Sequence, residues 1–133
     1  MQSNPTYTTA AAGAPLEMDE TDRLISSEKV GGTAVYDASG ERLGTVHHLM
    51  IDKQAGNVEY AVMSFGGFLG IGESYNPLPW RSLTYDTGLG GYVVNANRAR
   101  LEQAPRYAPG TEPSWTDPGY RDRIDQYWMI PPV

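Results

Sequence analysis

The chain has 133 residues, a length that suits one folded domain with additional segments at its ends. It contains no cysteine, which excludes disulfides, thiolate catalysis and cysteine-based zinc sites. The formal net charge is −6 and the basic residues are scattered, so the composition disfavours nucleic acid as a partner, because phosphate binding needs clustered Lys and Arg.

Residues 1–23 are predicted to form a flexible N-terminal arm. They are rich in Ser, Thr, Ala, Pro and acidic side chains and show little periodicity. The segment lacks the charged and apolar regions of a secretory signal, and the apolar stretches of the chain are too short to span a bilayer. We therefore expect a cytoplasmic protein with no membrane span.

Residues 24–107 carry strand and turn signals in quick succession. Asp37 and Gly40 begin and end one predicted turn, and Gly56 is the expected positive-φ residue of the next. The third run is apolar on both faces, which predicts a buried strand, and the prolines of the fourth place it at an edge or a strand end. The last two runs form a hairpin. The six predicted strands are 33–36, 43–52, 58–65, 75–80, 82–85 and 91–95.

Short strands joined by tight glycine turns predict a mainly β fold, as a small barrel or a sandwich. Closure of a barrel would also protect the edges of so small a sheet. A short helix and a C-terminal helix are expected to follow the strands in either architecture.

Two helices are expected after the last strand. Asn97 is a suitable N-cap for the short one, which Pro105 ends. Residues 108–133 are predicted to be a linker and an aromatic amphipathic helix that begins at Asp117-Pro118. Its apolar stripe, at helical spacing, consists of Tyr120, Ile124, Tyr127 and Trp128. Arg121 and Asp125 are expected on the other face, and the stripe is expected to pack on the barrel or on another subunit.

The glycine-rich stretch between the third and fourth strands carries three large apolar side chains, Phe68, Leu69 and Ile71. Glycines permit a bent connection there. The three side chains either fold back over one end of the barrel or project as a contact patch. The stretch has neither the glycine order nor the following helix of a phosphate-binding loop.

No catalytic, cofactor-binding or metal-binding residues are predicted. His47 and His48 are adjacent on a strand, so their side chains are expected on opposite faces, one in solvent and one half-buried. Asp37, Glu41 and Asp52 lie at turn ends, where aspartate caps the backbone. The serines show no nucleophile elbow.

Four sequence blocks, taken in order, resemble a PRC-barrel domain. They are residues 32–37 (GTAVYD), 40–46 (GERLGTV), 51–60 (IDKQAGNVEY) and 66–80, which begins GGFLG and ends in Pro-Trp. The family includes the cytoplasmic part of the photosynthetic reaction-centre H subunit, the C-terminal domain of the ribosome maturation factor and many small stand-alone bacterial proteins. The resemblance, which covers about residues 24–107, implies a mainly β fold, a small closed or partly open β-barrel of about six strands. It also implies a domain used for protein contacts and assembly, with no catalytic residues. The segment from Trp115 to Trp128 resembles a tail of some stand-alone members.

These expectations converge on a non-enzymatic interaction module that forms a homodimer, with exchange of the C-terminal helix between subunits as one route. Three surfaces are expected to make the contact with the partner: the 66–72 loop, the adjoining end of the barrel at Trp80, or the apolar stripe of the C-terminal helix. The candidate interaction residues are Phe68, Leu69, Ile71, Trp80, Tyr120, Ile124, Tyr127 and Trp128. The alternatives are an accessory factor in RNA processing or ribosome assembly, and a small-ligand or stress-linked binding protein with a pocket at the barrel end.

Overall fold

A computed structural model describes residues 23–65 and 73–129 of the chain. The chain divides into two compact units, Met1–Gly31 and Gly32–Val133. The described part of the first unit contains a single helical turn, α1 (Ser27–Val30). Ser26 caps it, because its hydroxyl accepts a hydrogen bond of 3.2 Å from the backbone N–H of Glu28.

A six-stranded sheet forms the framework of the second unit. Its strands are β1 (Ala34–Tyr36), β2 (Arg42–Ile51), β3 (Val58–Phe65), β4 (Ser74–Pro79), β5 (Leu83–Asp86) and β6 (Gly91–Val94). They lie in the order β4-β3-β2-β1-β6-β5, and every neighbouring pair is antiparallel except β1 with β6, which is parallel. The predicted mainly β fold of six strands is confirmed, in the partly open form of a half-barrel with β4 and β5 at its two ends.

Aspartates shape three of the turns between strands. The side chains of Asp37, Asp52 and Asp86 each accept hydrogen bonds from backbone N–H groups of the residues that follow, at 2.8–3.0 Å. Gly56 has the expected positive φ, +82°, and Gly40 has a φ of +92°. The interpretation of Asp37 and Asp52 as turn caps is therefore confirmed.

One glycine inside a strand sets how closely two strands approach. Gly44 of β2 pairs with Phe65 of β3, and a Cβ at Gly44 would overlap the backbone carbonyl oxygen of Ser64. Because that atom belongs to the backbone of the sheet, it cannot move aside. Only glycine fits there without displacing β3.

Strand β3 is buried as predicted, since all four residues from Tyr60 to Met63 are inaccessible to solvent or nearly so. Strand β4 is at the edge, as its prolines predicted, and a bridge to Tyr107 covers its outer side at Tyr75 through reciprocal backbone hydrogen bonds of 2.8 and 3.0 Å. The largest fully buried apolar side chains of the core include Met63, Leu78, Leu101, Ile124, Val35, Val46, Val62 and Val94.

Both helices predicted after the last strand are present, as α2 (Arg98–Glu102) and α3 (Pro118–Met129). Asn97 caps α2, because its side chain accepts a 2.8 Å hydrogen bond from the backbone N–H of Arg100. Asp117 precedes α3 and accepts one of 2.9 Å from the backbone N–H of Gly119. The start signals of both helices are thus confirmed.

Candidate interaction surface

Helix α3 lies on the sheet of its own unit through an aromatic cluster. Tyr60 of β3 packs against Tyr120 and Ile124 of α3, and all three side chains are buried. Partly buried apolar residues surround this cluster: Met50, Trp115 and Trp128. The helix stripe was expected to pack either on the barrel or on another subunit. In the described structure it packs on the barrel.

The hydroxyl of Tyr60 joins the sheet to two charged residues of α3. It donates a 2.9 Å hydrogen bond to Oδ1 of Asp125 and accepts a longer one, 3.5 Å, from Nε of Arg121. Burial raises the pKa of Tyr60, and the Arg121 guanidinium opposes that shift. Arg121 and Asp125 therefore reach the packed side of the helix, and their predicted place on the opposite face is wrong. The long side chain of Arg121 can bend towards a polar group at the edge of the contact, whereas the short one of Asp125 is reached by the Tyr60 hydroxyl.

Arg100 of α2 holds the C-terminal end of α3. Its Nη2 donates a 2.8 Å hydrogen bond to the backbone carbonyl of Tyr127, and the Tyr127 hydroxyl donates one of 2.6 Å to the carbonyl of Arg100. The guanidinium also lies over the rings of Tyr127 and Trp128, at 4.8 and 5.3 Å from their centres. Tyr127 and Trp128, two of the predicted contact residues, are therefore half-buried against the helix next to them.

Two buried polar atoms of the cluster lack hydrogen-bond partners within residues 23–65 and 73–129. They are the hydroxyl of Tyr120 and Nε1 of Trp128. Burial is the main cause that raises the pKa of Tyr120 to about 12. A buried polar group without a partner costs free energy, so this packing is not fully optimised for stability.

A groove runs beside α3 where the end of β2 faces the segment that precedes the helix. It has a volume of about 180 Å³ and is lined by Met50, Ile51, Asp52, Glu59, Tyr60, Trp115 and Arg121. Ile51 is 50% exposed and lies in the wall of this groove, next to other apolar side chains. Sequence reasoning missed Ile51, because the alternation of β2 placed it on the same face as Leu43, which is buried.

Trp80 lies in a 3₁₀ turn, Trp80–Ser82, that follows β4. Its ring contacts that of Tyr92, 5.3 Å away between centres. The 66–72 loop, which Trp80 was expected to adjoin, lies outside the described residues. Phe65 and Ser74 flank that loop and pair with each other, whereas Trp80 follows the far end of β4, about 20 Å along the strand at 3.3 Å per residue. Phe68, Leu69 and Ile71 lie outside the described residues, as does most of the predicted N-terminal arm.

The two histidines touch each other, and their predicted separation onto opposite faces is wrong. Nδ1 of His47 lies 2.8 Å from Nδ1 of His48. The register of β2 against β3 shifts between Val46 and His48, which marks a β-bulge. A bulge inserts an extra residue and breaks the two-residue alternation that the prediction assumed. The expected difference in exposure is confirmed, since His47 is exposed and His48 half-buried.

Burial first, and then the neighbouring His47, lower the pKa of His48, while the carboxylate of Glu112 acts in the opposite direction. The hydroxyl of Tyr75 lies 3.3 Å from Nε2 of His47, and the two rings are in contact.

Within residues 23–65 and 73–129, no group of three or more His, Cys, Asp or Glu side chains is arranged to hold a metal ion. In the same part of the chain, no helix is long and apolar enough to cross a membrane.

Comparison with known protein families finds a match to the PRC-barrel domain over residues 22–101. This match covers more than half of the chain and includes all six strands and most of α2. It ends before α3, so the aromatic cluster under that helix joins a residue inside the matched region, Tyr60, to residues beyond it. No curated protein matches the chain significantly.

Proposed function

Because the chain belongs to the PRC-barrel domain family, we propose that it is a non-enzymatic module for protein interaction and assembly, and that it acts in the cytoplasm as a homodimer. The observation that carries this proposal is the groove beside α3, with an apolar centre and a rim that bears both signs of charge. Such an arrangement is typical of a protein contact, in which an apolar core is surrounded by a polar rim.

The apolar centre of the groove is formed by Ile51 together with Met50 and Trp115. Full burial of an isoleucine side chain contributes about 1.5–3 kcal/mol, so burial of the exposed half of Ile51 would contribute about 1 kcal/mol per chain. In a two-fold dimer the same residue contributes twice. The free energy gained by burying Ile51 favours a contact at this groove. A stable contact also requires other apolar side chains beside Ile51, and the aromatic ring of Trp115 is one.

The rim supports a second copy of this chain as the partner. Asp52 and Glu59 are acidic and Arg121 is basic, and the ion pair between Arg121 and Glu59 is long, 4.0 Å, and solvent-exposed. Such a pair adds little stability within one chain. A two-fold axis would bring the arginine of each copy towards the carboxylates of the other, since a two-fold interface is self-complementary.

The other predicted contact residues keep a place in this proposal. Exchange of α3 would remake the contacts of Tyr120 and Ile124 with the sheet of a second copy, with residues 106–116, between α2 and α3, as the hinge. The 66–72 loop and Trp80 are further candidate contacts, at opposite ends of β4.

The test is the mass of the full chain in solution, by light scattering and sedimentation, compared with an Ile51→Glu variant. We expect a dimer for the wild type, twice the chain mass of 14.6 kDa, and a monomer for the variant. Leu89→Glu is the matched control, because Leu89 is 41% exposed in the turn between β5 and β6 and should leave the dimer intact. A monomeric wild type at every concentration would refute self-association. A dimer that persists in Ile51→Glu would move the contact to α3 exchange, the loop or Trp80.

The two alternative functions have less support. An accessory role in RNA processing or ribosome assembly is opposed by the net charge of −6. A small-ligand role requires space inside the barrel, but residues such as Val62, Met63 and Leu78 are fully buried there.

A further inference from the structure

We propose that His47 and His48, at the bulge of β2, form a two-nitrogen site for a divalent transition-metal ion of the copper(II) or nickel(II) type. The inference is independent of the proposed assembly role. It rests on the 2.8 Å distance between the two Nδ1 atoms and on the close contact of the two rings, whose centres are 5.1 Å apart.

The bulge is what brings the rings together. In a regular strand, adjacent side chains point to opposite faces and cannot share a ligand. The extra residue of the bulge cancels that alternation, and the Nδ1 atoms of His47 and His48 approach to 2.8 Å. At most one of the two nitrogens carries a hydrogen in such a contact, so at least one lone pair is directed into the space between the rings.

The distance between the nitrogens selects the geometry of the ion. With metal–nitrogen bonds of about 2.0 Å, a separation of 2.8 Å gives an angle of about 90° at the metal, from twice the arcsine of 1.4/2.0. That angle is the one between neighbouring ligands of a square-planar or tetragonal ion, the preference of copper(II) and nickel(II). A tetrahedral ion such as zinc would need the nitrogens about 3.3 Å apart.

The surroundings suit a cation with solvent in its remaining positions. His47 is exposed, so water can complete the coordination. When both Nδ1 atoms bind a metal, the hydrogens move to the Nε2 atoms, and Nε2 of His47 then donates to the Tyr75 hydroxyl, 3.3 Å away. Such an outer partner fixes the orientation of a ligating imidazole.

The test is calorimetric titration of the full chain with Cu²⁺ and Ni²⁺, together with electron paramagnetic resonance of the Cu²⁺ form. We expect one ion per chain and an axial spectrum with coupling to two nitrogens. His47→Gln and His48→Gln should each weaken binding by about tenfold or more, since even outer-shell changes cost about 10–100-fold. Thermal unfolding of each variant checks that the fold is kept.

Two controls separate this site from adventitious binding. The double variant has no histidine, so binding that survives in it comes from other groups. Glu41→Gln should leave binding unchanged, because Glu41 precedes β2 and lies about 20 Å along the strand from His47 at 3.3 Å per residue. Equal binding by the wild type and the double variant, or a spectrum without two-nitrogen coupling, would overturn the proposal.

Discussion

Arg100 and Tyr127 exchange two hydrogen bonds, each donating from its side chain to the backbone carbonyl of the other. The pair connects α2, which follows the last strand, to the C-terminal end of α3. A short helix is marginal by itself, so tertiary contacts of this kind determine whether α3 stays folded on the sheet.

Removal of the Tyr127 hydroxyl tests that connection. We expect Tyr127→Phe to lower the free energy of unfolding by about 1 kcal/mol, because it deletes the 2.6 Å hydrogen bond and keeps the ring under Arg100. The measurement is urea denaturation. Tyr36→Phe is the control, since the Tyr36 hydroxyl makes no hydrogen bond within the described residues, and its effect should stay below about 0.5 kcal/mol. Equal effects of the two changes would contradict the prediction.

The hydroxyls of Tyr60 and Tyr120 should respond oppositely to removal. Tyr60→Phe deletes the hydrogen bond to Asp125 and is expected to cost about 1–2 kcal/mol. Tyr120→Phe removes a buried hydroxyl that has no partner among the described residues, so the free energy of unfolding should stay unchanged or rise by about 1 kcal/mol. Thermal and urea unfolding of both variants provide the comparison. A destabilised Tyr120→Phe would show that its hydroxyl has a partner.

Asp37 should make stability depend on acid pH. Hydrogen bonds from the Ser39 side chain and from the backbone of Glu41 hold its pKa below the usual value. A carboxyl with a lowered pKa in the folded state stabilises the fold above its unfolded pKa of about 3.9 and loses that contribution as pH falls through the folded value. Asp37→Asn should therefore be less stable than the wild type at pH 7, and the difference should shrink below about pH 4. A constant difference from pH 7 to pH 2 would argue against this role.

Gly44 should tolerate no side chain. A Cβ there would overlap the Ser64 carbonyl oxygen of the paired strand, so Gly44→Ala is expected to cost about 3 kcal/mol or more. Gly119→Ala, in the first turn of α3, is the control. Its Cβ would meet side-chain atoms and no backbone, the Asp117 carboxylate at 3.3 Å and Nη1 of Arg123 at 3.8 Å, and alanine favours a helix by about 1 kcal/mol. Urea midpoints that fell equally for both would disprove the steric argument.

The positions of the strands could be predicted because local chemistry determines them. Asp52 followed by Gly56 predicted a turn, and the apolar run from Val58 to Phe65 predicted a strand buried on both faces. The parallel pairing of Val35 with Tyr92 could not be predicted in this way. No local propensity records which distant strands become neighbours.

The candidate surface was predictable only in part. Tyr120 and Ile124 follow from helical periodicity, and both lie in the cluster under α3. The contact between His47 and His48 was missed because a bulge leaves no clear signal in the residues that form it. Ile51 was missed for a related reason. The alternation of β2 does not continue unbroken to its last residue, since a second register shift lies between Met50 and Ile51.

The parallel pairing of β1 with β6 also governs the order in which the molecule can fold during synthesis. β5 and β6 join the rest of the sheet only through β1, in pairs such as Val35 with Tyr92, whose positions differ by 92 − 35 = 57. Until that stretch has left the ribosome, one side of β1 has no neighbour. Strand pairing over such a sequence separation is slow, and small β-rich domains fold in milliseconds to seconds. For that time the nascent chain holds an incomplete sheet in which one side of β1 is unpaired.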